Sequence, residues 1–331
     1  MKKINIAGCG GAAKGLSLFG VLKELCEKEV KIKKAFLTSV STIMLGGYAV
    51  GLSAKEIRDK MISIRFDTIM EWQEDIEEKR GSVISRITKI PIVFLFGKVF
   101  WFKDVQRIFI ETYSWEKVKL VGRVDKLFIG FTTRREVANY DGRGTKMRFF
   151  RDAISAMSKG GRIWKRSRKD PEKVKARFER AYHNIGMFWG SDDGIYKFNV
   201  KKNKLEKYSD DIIPLWALLL GAFNNPFLRK VKLSIKGKEQ IAFDLGIINN
   251  HSNIPYMGSK DFHQLIPDPE SYPDKDFSTD FTLADYVFNK NRPSPSKTHI
   301  FDCVRDKAFM SFTDEQIRLE FKYQKKTNIF S

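Results

Sequence analysis

Six residues, Gly10-Gly11-Ala12-Ala13-Lys14-Gly15, constrain this chain more than any other stretch. They lie between a short apolar run, Ile4-Asn5-Ile6-Ala7, and an apolar-periodic segment from Leu16 to Leu25. That order reads strand, glycine turn, helix start, the opening unit of an α/β fold. Glycines let the backbone pass close to a neighbour, and the first free N–H groups of a helix point at an anion. The anion is either a bound phosphate or an oxyanion that exists only during a reaction. The loop lacks Gly-x-Gly-x-x-Gly and Walker spacing, which argues against a nucleotide site.

Further along, residues 3–8 and 35–39 read as short buried strands, each followed by a helix. Leu16, Phe19, Leu22 and Leu25 recur at helical spacing. Val40 to Val50 is apolar and rich in small residues, as in a buried helix, and Gly51 ends it. Ser53-Ala54-Lys55-Glu56 forms a capping box for the next helix. A third strand is predicted over Lys126 to Thr133, a strand-like run over Lys238 to Phe243, and a late strand over Thr298 to Val304. Thr313-Asp314-Glu315-Gln316 caps a last helix. Alternating strands and helices predict a three-layer α/β sandwich around a central, mainly parallel sheet, with ligands at the carboxyl ends of the strands.

The 331 residues show no internal repeat or linker and read as one domain, 1–331, with a basic insertion at about 141–210 and a C-terminal loop-plus-helix extension over 256–331. Five of the ten prolines fall between 267 and 295, which makes that stretch loop. Net charge is +20, and Lys146 to Arg180 alone holds 13 Lys or Arg against 4 Asp or Glu. Such a surface attracts polyanions, either an anionic membrane or nucleic acid, although a solvated basic helix pair has the same composition. Three cysteines without CxxC spacing argue against a disulfide framework or a zinc site. The longest apolar run, Ile90 to Phe102, contains Pro91 and Lys98 and is too short to span a membrane. Met1-Lys2-Lys3 precedes a strand-like segment too short and too polar for a signal peptide, so none is expected. A cytoplasmic protein, peripheral at membranes, is expected. The lysine- and phenylalanine-rich composition also fits a viral protein in its host's cytoplasm.

Three segments carry the chemistry: the loop at 10–15, Leu37-Thr38-Ser39-Val40-Ser41, and Asp244-Leu245-Gly246. Ser39 sits where a strand ends and a helix begins, a turn that thrusts a side chain out of the sheet. Asp244 follows a strand-like run and precedes Asn249-Asn250. A serine nucleophile needs a base and oxyanion donors, and the chain offers candidates for all three.

That order resembles the patatin-like phospholipase family, whose pattern is a glycine-rich loop with Arg or Lys, a Gly-x-Ser-x-Gly elbow and an Asp-Gly-Gly/Ala motif. Gly51-Leu52-Ser53-Ala54-Lys55-Glu56-Ile57 and Ala222-Phe223-Asn224-Asn225-Pro226-Phe227 are similar to flanking segments of the family, and Asn249-Asn250 with Pro255 is similar to its Asn-x-Pro run. The resemblance is collinear over most of the chain, and 141–210 matches least. It implies Ser39 as nucleophile and Asp244 as base, in a dyad without histidine. Gly10, Gly11, Ala12 and Lys14 would form the oxyanion hole, and Gly15 and Gly246 structural turns. The implied substrate is a phospholipid or lysophospholipid, hydrolysed through an acyl-serine without metal or cofactor.

Leu37 and Ser41 stand where the family has its elbow glycines, and Leu245 replaces the middle glycine of the aspartate motif. A leucine at 37 is expected to open the elbow, because strand and helix pack there with almost no space. Ser39 would otherwise be an ordinary helix N-cap, and Asp244 a turn residue. His251, seven residues after Asp244, is the alternative triad member. Two functions follow: a lipid acyl hydrolase, or a catalytically silent scaffold of the same shape that binds a polyanion or other proteins.

Overall fold

The computed structural model describes residues 3–10, 18–63, 103–138, 169–170, 186–222, 224, 231–267 and 295–301. The Phe-rich segment 93–102, most of the insertion (141–168 and 171–185), the loop 268–294 and the helix expected after Thr313 lie outside them.

The parallel expectation holds for the core of the sheet. Strands β1 (Ile4–Gly8), β2 (Ile32–Leu37) and β3 (Val124–Thr133) are parallel neighbours. On the other side of β1, β9 (His263–Pro267) and β10 (Lys297–Phe301) continue the parallel block. The last two fall in the region expected to be mainly a loop-plus-helix extension, and they form one edge of the sheet. Beyond β3 the pairing turns antiparallel through β4 (Phe188–Ser191), β5 (Gly194–Asn199) and β6 (Lys204–Ser209). These three were expected inside the basic insertion. They are sheet because Phe188, Trp189, Ile195 and Phe198 bury their side chains in the core.

A second antiparallel pair, β7 (Val231–Ile235) and β8 (Lys238–Asp244), closes on a two-residue turn at Lys236 (φ +52°) and Gly237 (φ +69°). Two positive φ values match the right-handed twist of the flanking strands. β8 then joins β3, and the register shows where. Ile129 pairs with both Leu37 and Gly190, so β2 and β4 occupy opposite edges of β3. Phe131 pairs with both Phe188 and Asp244, so β8 also lies opposite β4. β8 therefore takes over the edge that β2 vacates after Leu37, running the other way.

Alternation along the strands feeds two cores. Ile6, Ala35, Leu37, Leu127, Ile129 and Phe131 face one side. There they meet helices α1 (Phe19–Glu27), α2 (Val40–Ala49) and α3 (Ala54–Ser63), joined by α4 (Trp115–Val121). Another helix, α5 (Arg134–Ala138), follows β3. A further one, α6 (Leu215–Ala222), is apolar nearly all round and buried against β3, β7 and β8. The capping box before α3 forms, with Glu56 N–H donating to Ser53 Oγ at 3.2 Å and Ser53 N–H donating to Glu56 Oε2 at 2.8 Å. On the opposite face Phe36 stacks on Phe128 at 4.3 Å, and the segment after Asp244 covers them with Leu245, Ile248, Ile254 and Tyr256.

Gly130, at the middle of β3, is where the ends of β2 and β8 crowd one edge. A Cβ there would lie 2.8 Å from Leu245 Cδ2 and 3.1 Å from the Leu37 carbonyl oxygen. We expect Gly130→Ala to lower stability by about 1–3 kcal/mol through overpacking. Urea unfolding reads this as a lower midpoint at unchanged slope.

Candidate active site

Because β2 and β8 meet nose to nose on one edge of β3, their carboxyl ends converge. Leu37 lies opposite Ile129 and Asp244 opposite Phe131, two residues further along, a spacing of about 7 Å. Ser39 and Asp244, 205 positions apart in the chain, are brought together by that register.

Ser39 has φ +53° and ψ −135°, a region that glycine favours and that costs another residue roughly 1–3 kcal/mol. It precedes α2 without a side-chain cap bond to the helix. An N-capping serine has extended backbone and bonds the N–H groups of the first turn, so Ser39 is not a cap. Its hydroxyl instead lies close enough to the Asp244 carboxyl to lower that group's proton affinity. The residue is buried, with 8% of its surface exposed.

Neighbouring hydroxyls hold the turn. Ser41 Oγ donates to Thr38 O at 2.7 Å and accepts from Thr38 N–H at 3.2 Å. Thr42 Oγ1 donates to Ser39 O at 2.5 Å, and the Thr42 N–H donates to the same oxygen at 3.0 Å. Ser41 thus pins the turn.

Leu37 does not open the elbow, contrary to expectation, and the reason is a glycine on the neighbouring strand. Gly8 pairs with Leu37 in register, and a Cβ on Gly8 would lie 2.9 Å from both Leu37 Cδ2 and Ser41 Oγ. Gly130 makes the same room for Leu245. Both large residues at glycine positions face a glycine across the sheet.

Asp244 ends β8 and is anchored through its backbone. Its N–H donates to Asn224 O at 2.8 Å, and Asn224 Nδ2 donates to Ala242 O at 2.8 Å. Its carboxylate accepts from Gly246 N–H at 2.7 Å and from Thr38 Oγ1 at 3.4 Å. Some of its surface stays accessible, yet protein packed around the carboxyl dominates its titration. Burial pushes the carboxyl up to about 6, against the pull of the neighbouring Ser39 hydroxyl, the Gly246 N–H and the Thr38 hydroxyl.

The remaining expected residues divide. Gly10 adjoins Ser39, and a Cβ there would lie 2.7 Å from Ser39 Cβ and 3.3 Å from Ser39 Oγ. Its N–H, however, donates to Asn250 O at 3.0 Å, so Gly10 serves close approach and is not a free oxyanion donor. Gly11, Ala12, Lys14 and Gly15 lie outside the described residues. Gly246 forms the expected turn, a short 3-10 segment whose first N–H Asp244 caps. His251 is buried with Nε2 unpartnered and is not among the groups bonded to Asp244. Thr38, Asn224 and Asn250 also shape the site. Nothing in residue order marks the contacts of Asn224 and Asn250. Among the described residues no group of His, Cys, Asp and Glu is arranged to hold a metal, and no helix is long and apolar enough to cross a membrane.

No protein-family model matches this chain, and a search of curated proteins finds no significant match.

The shifted carboxyl makes a stability prediction. In the folded protein Asp244 titrates near 6, above the ordinary value of 3.8, so the folded state holds the extra proton between those limits. The stability it contributes is present below pH 4 and is lost as pH rises through about 6. Asp244→Asn removes this cost. At pH 8 we expect it to exceed wild type in unfolding free energy by at most roughly 3 kcal/mol, with the gap closing toward pH 4. Urea melts across that range check it.

Proposed function

We propose that this protein is a serine acyl hydrolase acting on phospholipid or lysophospholipid esters, with Ser39 as nucleophile and Asp244 as its base. The observation that carries the reading is the strained backbone of Ser39, which strand register brings beside the Asp244 carboxyl. Strain of this kind persists only where the surroundings over-determine it, and it clusters where chemistry is done. A carboxyl held near 6 is ionised at neutral pH yet binds a proton more readily than an ordinary aspartate.

The chemistry follows from these groups. Ser39 Oγ attacks the ester carbonyl carbon while its proton passes to the Asp244 carboxylate. The resulting oxyanion is stabilised at the positive end of α2, which starts at Val40, and by the N–H groups of the glycine loop. Collapse breaks the bond to the leaving alcohol, which takes the proton from Asp244 and departs, leaving acyl-Ser39. A water then gives its proton to Asp244 and attacks the acyl carbon. The fatty acid leaves as Ser39 recovers a proton.

Motif order supports the lipid assignment, and with it a patatin-like three-layer sandwich. The mixed sheet, the helix following Ser39 and an aspartate ending a strand fit that architecture. A net charge of +20 favours an anionic membrane surface, where such substrates lie. The basic segment 146–180 would supply much of that attraction.

The test uses mixed phosphatidylcholine–phosphatidylglycerol vesicles and a fluorophosphonate probe. Wild type is expected to release free fatty acid and to be labelled at Ser39, while Ser39→Ala loses both. kcat/KM should rise with pH through about 6, as Asp244 ionises, and then level. Equal release by wild type and Ser39→Ala, or no labelling in the presence of lipid, would favour the silent scaffold.

A further inference from the structure

One side chain touches both halves of the site and has no role in the chemistry above. Asn250 is buried, 6% exposed, on the turn that follows Asp244. It grips Gly10 at two points: its carbonyl accepts from Gly10 N–H at 3.0 Å, and its Nδ2 donates to Gly10 O at 3.4 Å. Its carboxamide oxygen fills the angle between two glycines. A Cβ on Gly10 would collide with Asn250 Oδ1 and lie 2.7 Å from Ser39 Cβ. A Cβ on Gly246 would lie 3.2 Å from the same oxygen and 3.0 Å from Asp244 Oδ1. Neither glycine can be replaced without displacing Asn250, and each glycine borders one member of the reacting pair.

We propose that Asn250 is a positioning residue, which holds Gly10 against Ser39 and the Gly246 turn against Asp244 and so fixes the approach of the two reacting groups. The role rests on the reading of Ser39 and Asp244 as a reacting pair. Two bonds to one residue hold Gly10 in translation and in rotation. Reacting groups act only when aimed at one another, and a shift of about 1 Å can cost a hundredfold in rate. The loss therefore falls on the chemical step and leaves substrate binding nearly intact.

Full-length wild type, Asn250→Ala, Asn250→Asp and Ser39→Ala are compared with p-nitrophenyl butyrate as the reporter ester, across pH. Asn250→Ala keeps the backbone bond and removes the carboxamide. Its kcat is expected to fall about ten- to a hundredfold while KM changes by less than about threefold, with the acid limb of the profile unmoved. Asn250→Asp preserves shape but cannot donate to Gly10 O. It also puts a carboxylate beside Asp244, whose titration in the native protein is set by burial and by uncharged partners. Its kcat should fall as well, and its acid limb should move above pH 6, since a like charge disfavours ionisation of Asp244. His251 is the neighbouring titratable side chain, and Asn250→Ala, which adds no charge beside it, is the control for its influence.

Ser39-dependent turnover that Asn250→Ala leaves at the wild-type kcat, or a change confined to KM, would overturn the positioning role alone. No turnover by wild type beyond Ser39→Ala would bring down the dyad, and this role with it. Loss of a cooperative thermal transition in both Asn250 variants would assign the residue to stability and overturn the proposal.

Discussion

One edge of β3 carries two strands that run toward each other, and the rest of the candidate site depends on that arrangement. Backbone hydrogen bonds hold β2 to this edge as far as Ile129 and β8 from Phe131 onward. A ladder permits only whole-residue steps, and a slip of one would turn every side chain of the strand to the other face. The position of Asp244 relative to Ser39 is therefore quantised by register and does not drift with loop motion. The apolar helix α6, buried behind β3 and β8, and the Asn224 clamp on Asp244 hold the same junction from the side.

The elbow illustrates how close packing distributes its demands over a neighbourhood. A glycine is needed where strand and helix nearly touch, yet it need not stand on the turn itself. Here the bulk sits on Leu37 and Leu245, and the empty space sits on Gly8 and Gly130 across the sheet. The volume at the junction is conserved while its assignment to residues is exchanged, as expected of an interior packed to crystal-like density. Hydroxyl groups of Ser41 and Thr42 replace the flexibility of a second glycine with hydrogen bonds that hold the strained turn.

Electrostatics at the site and over the whole chain act on different scales. At Asp244 three uncharged donors partly offset burial, which leaves a carboxylate whose proton affinity lies close to neutral pH. A net charge of +20 works over distances of a Debye length and chooses surroundings rather than chemistry. It brings a protein to a polyanionic surface and leaves the proton transfer to local geometry.

Much of the scaffold was legible in residue order. Short apolar runs bounded by glycine or by polar turns marked β1, β2, β3, β8 and β10, and the Ser53–Glu56 box marked α3, because strand alternation and helix capping are local effects. The sheet content of Phe188–Ser209, the β7 half of the hairpin and strand β9 were not marked. Lysines on their solvent faces and nearby prolines obscured the apolar periodicity. Ser39 and Asp244 could be named as candidates from their positions at strand ends. Their meeting could not be read from residue order, nor could the positive φ that separates Ser39 from an ordinary helix cap. Those depend on pairing between segments some two hundred residues apart. The sequence by itself determined which local elements form and which side chains are able to react. Only the tertiary structure decided that Gly8 and Gly130 would make room for Leu37 and Leu245, because steric space belongs to the packed whole and to no single stretch of chain.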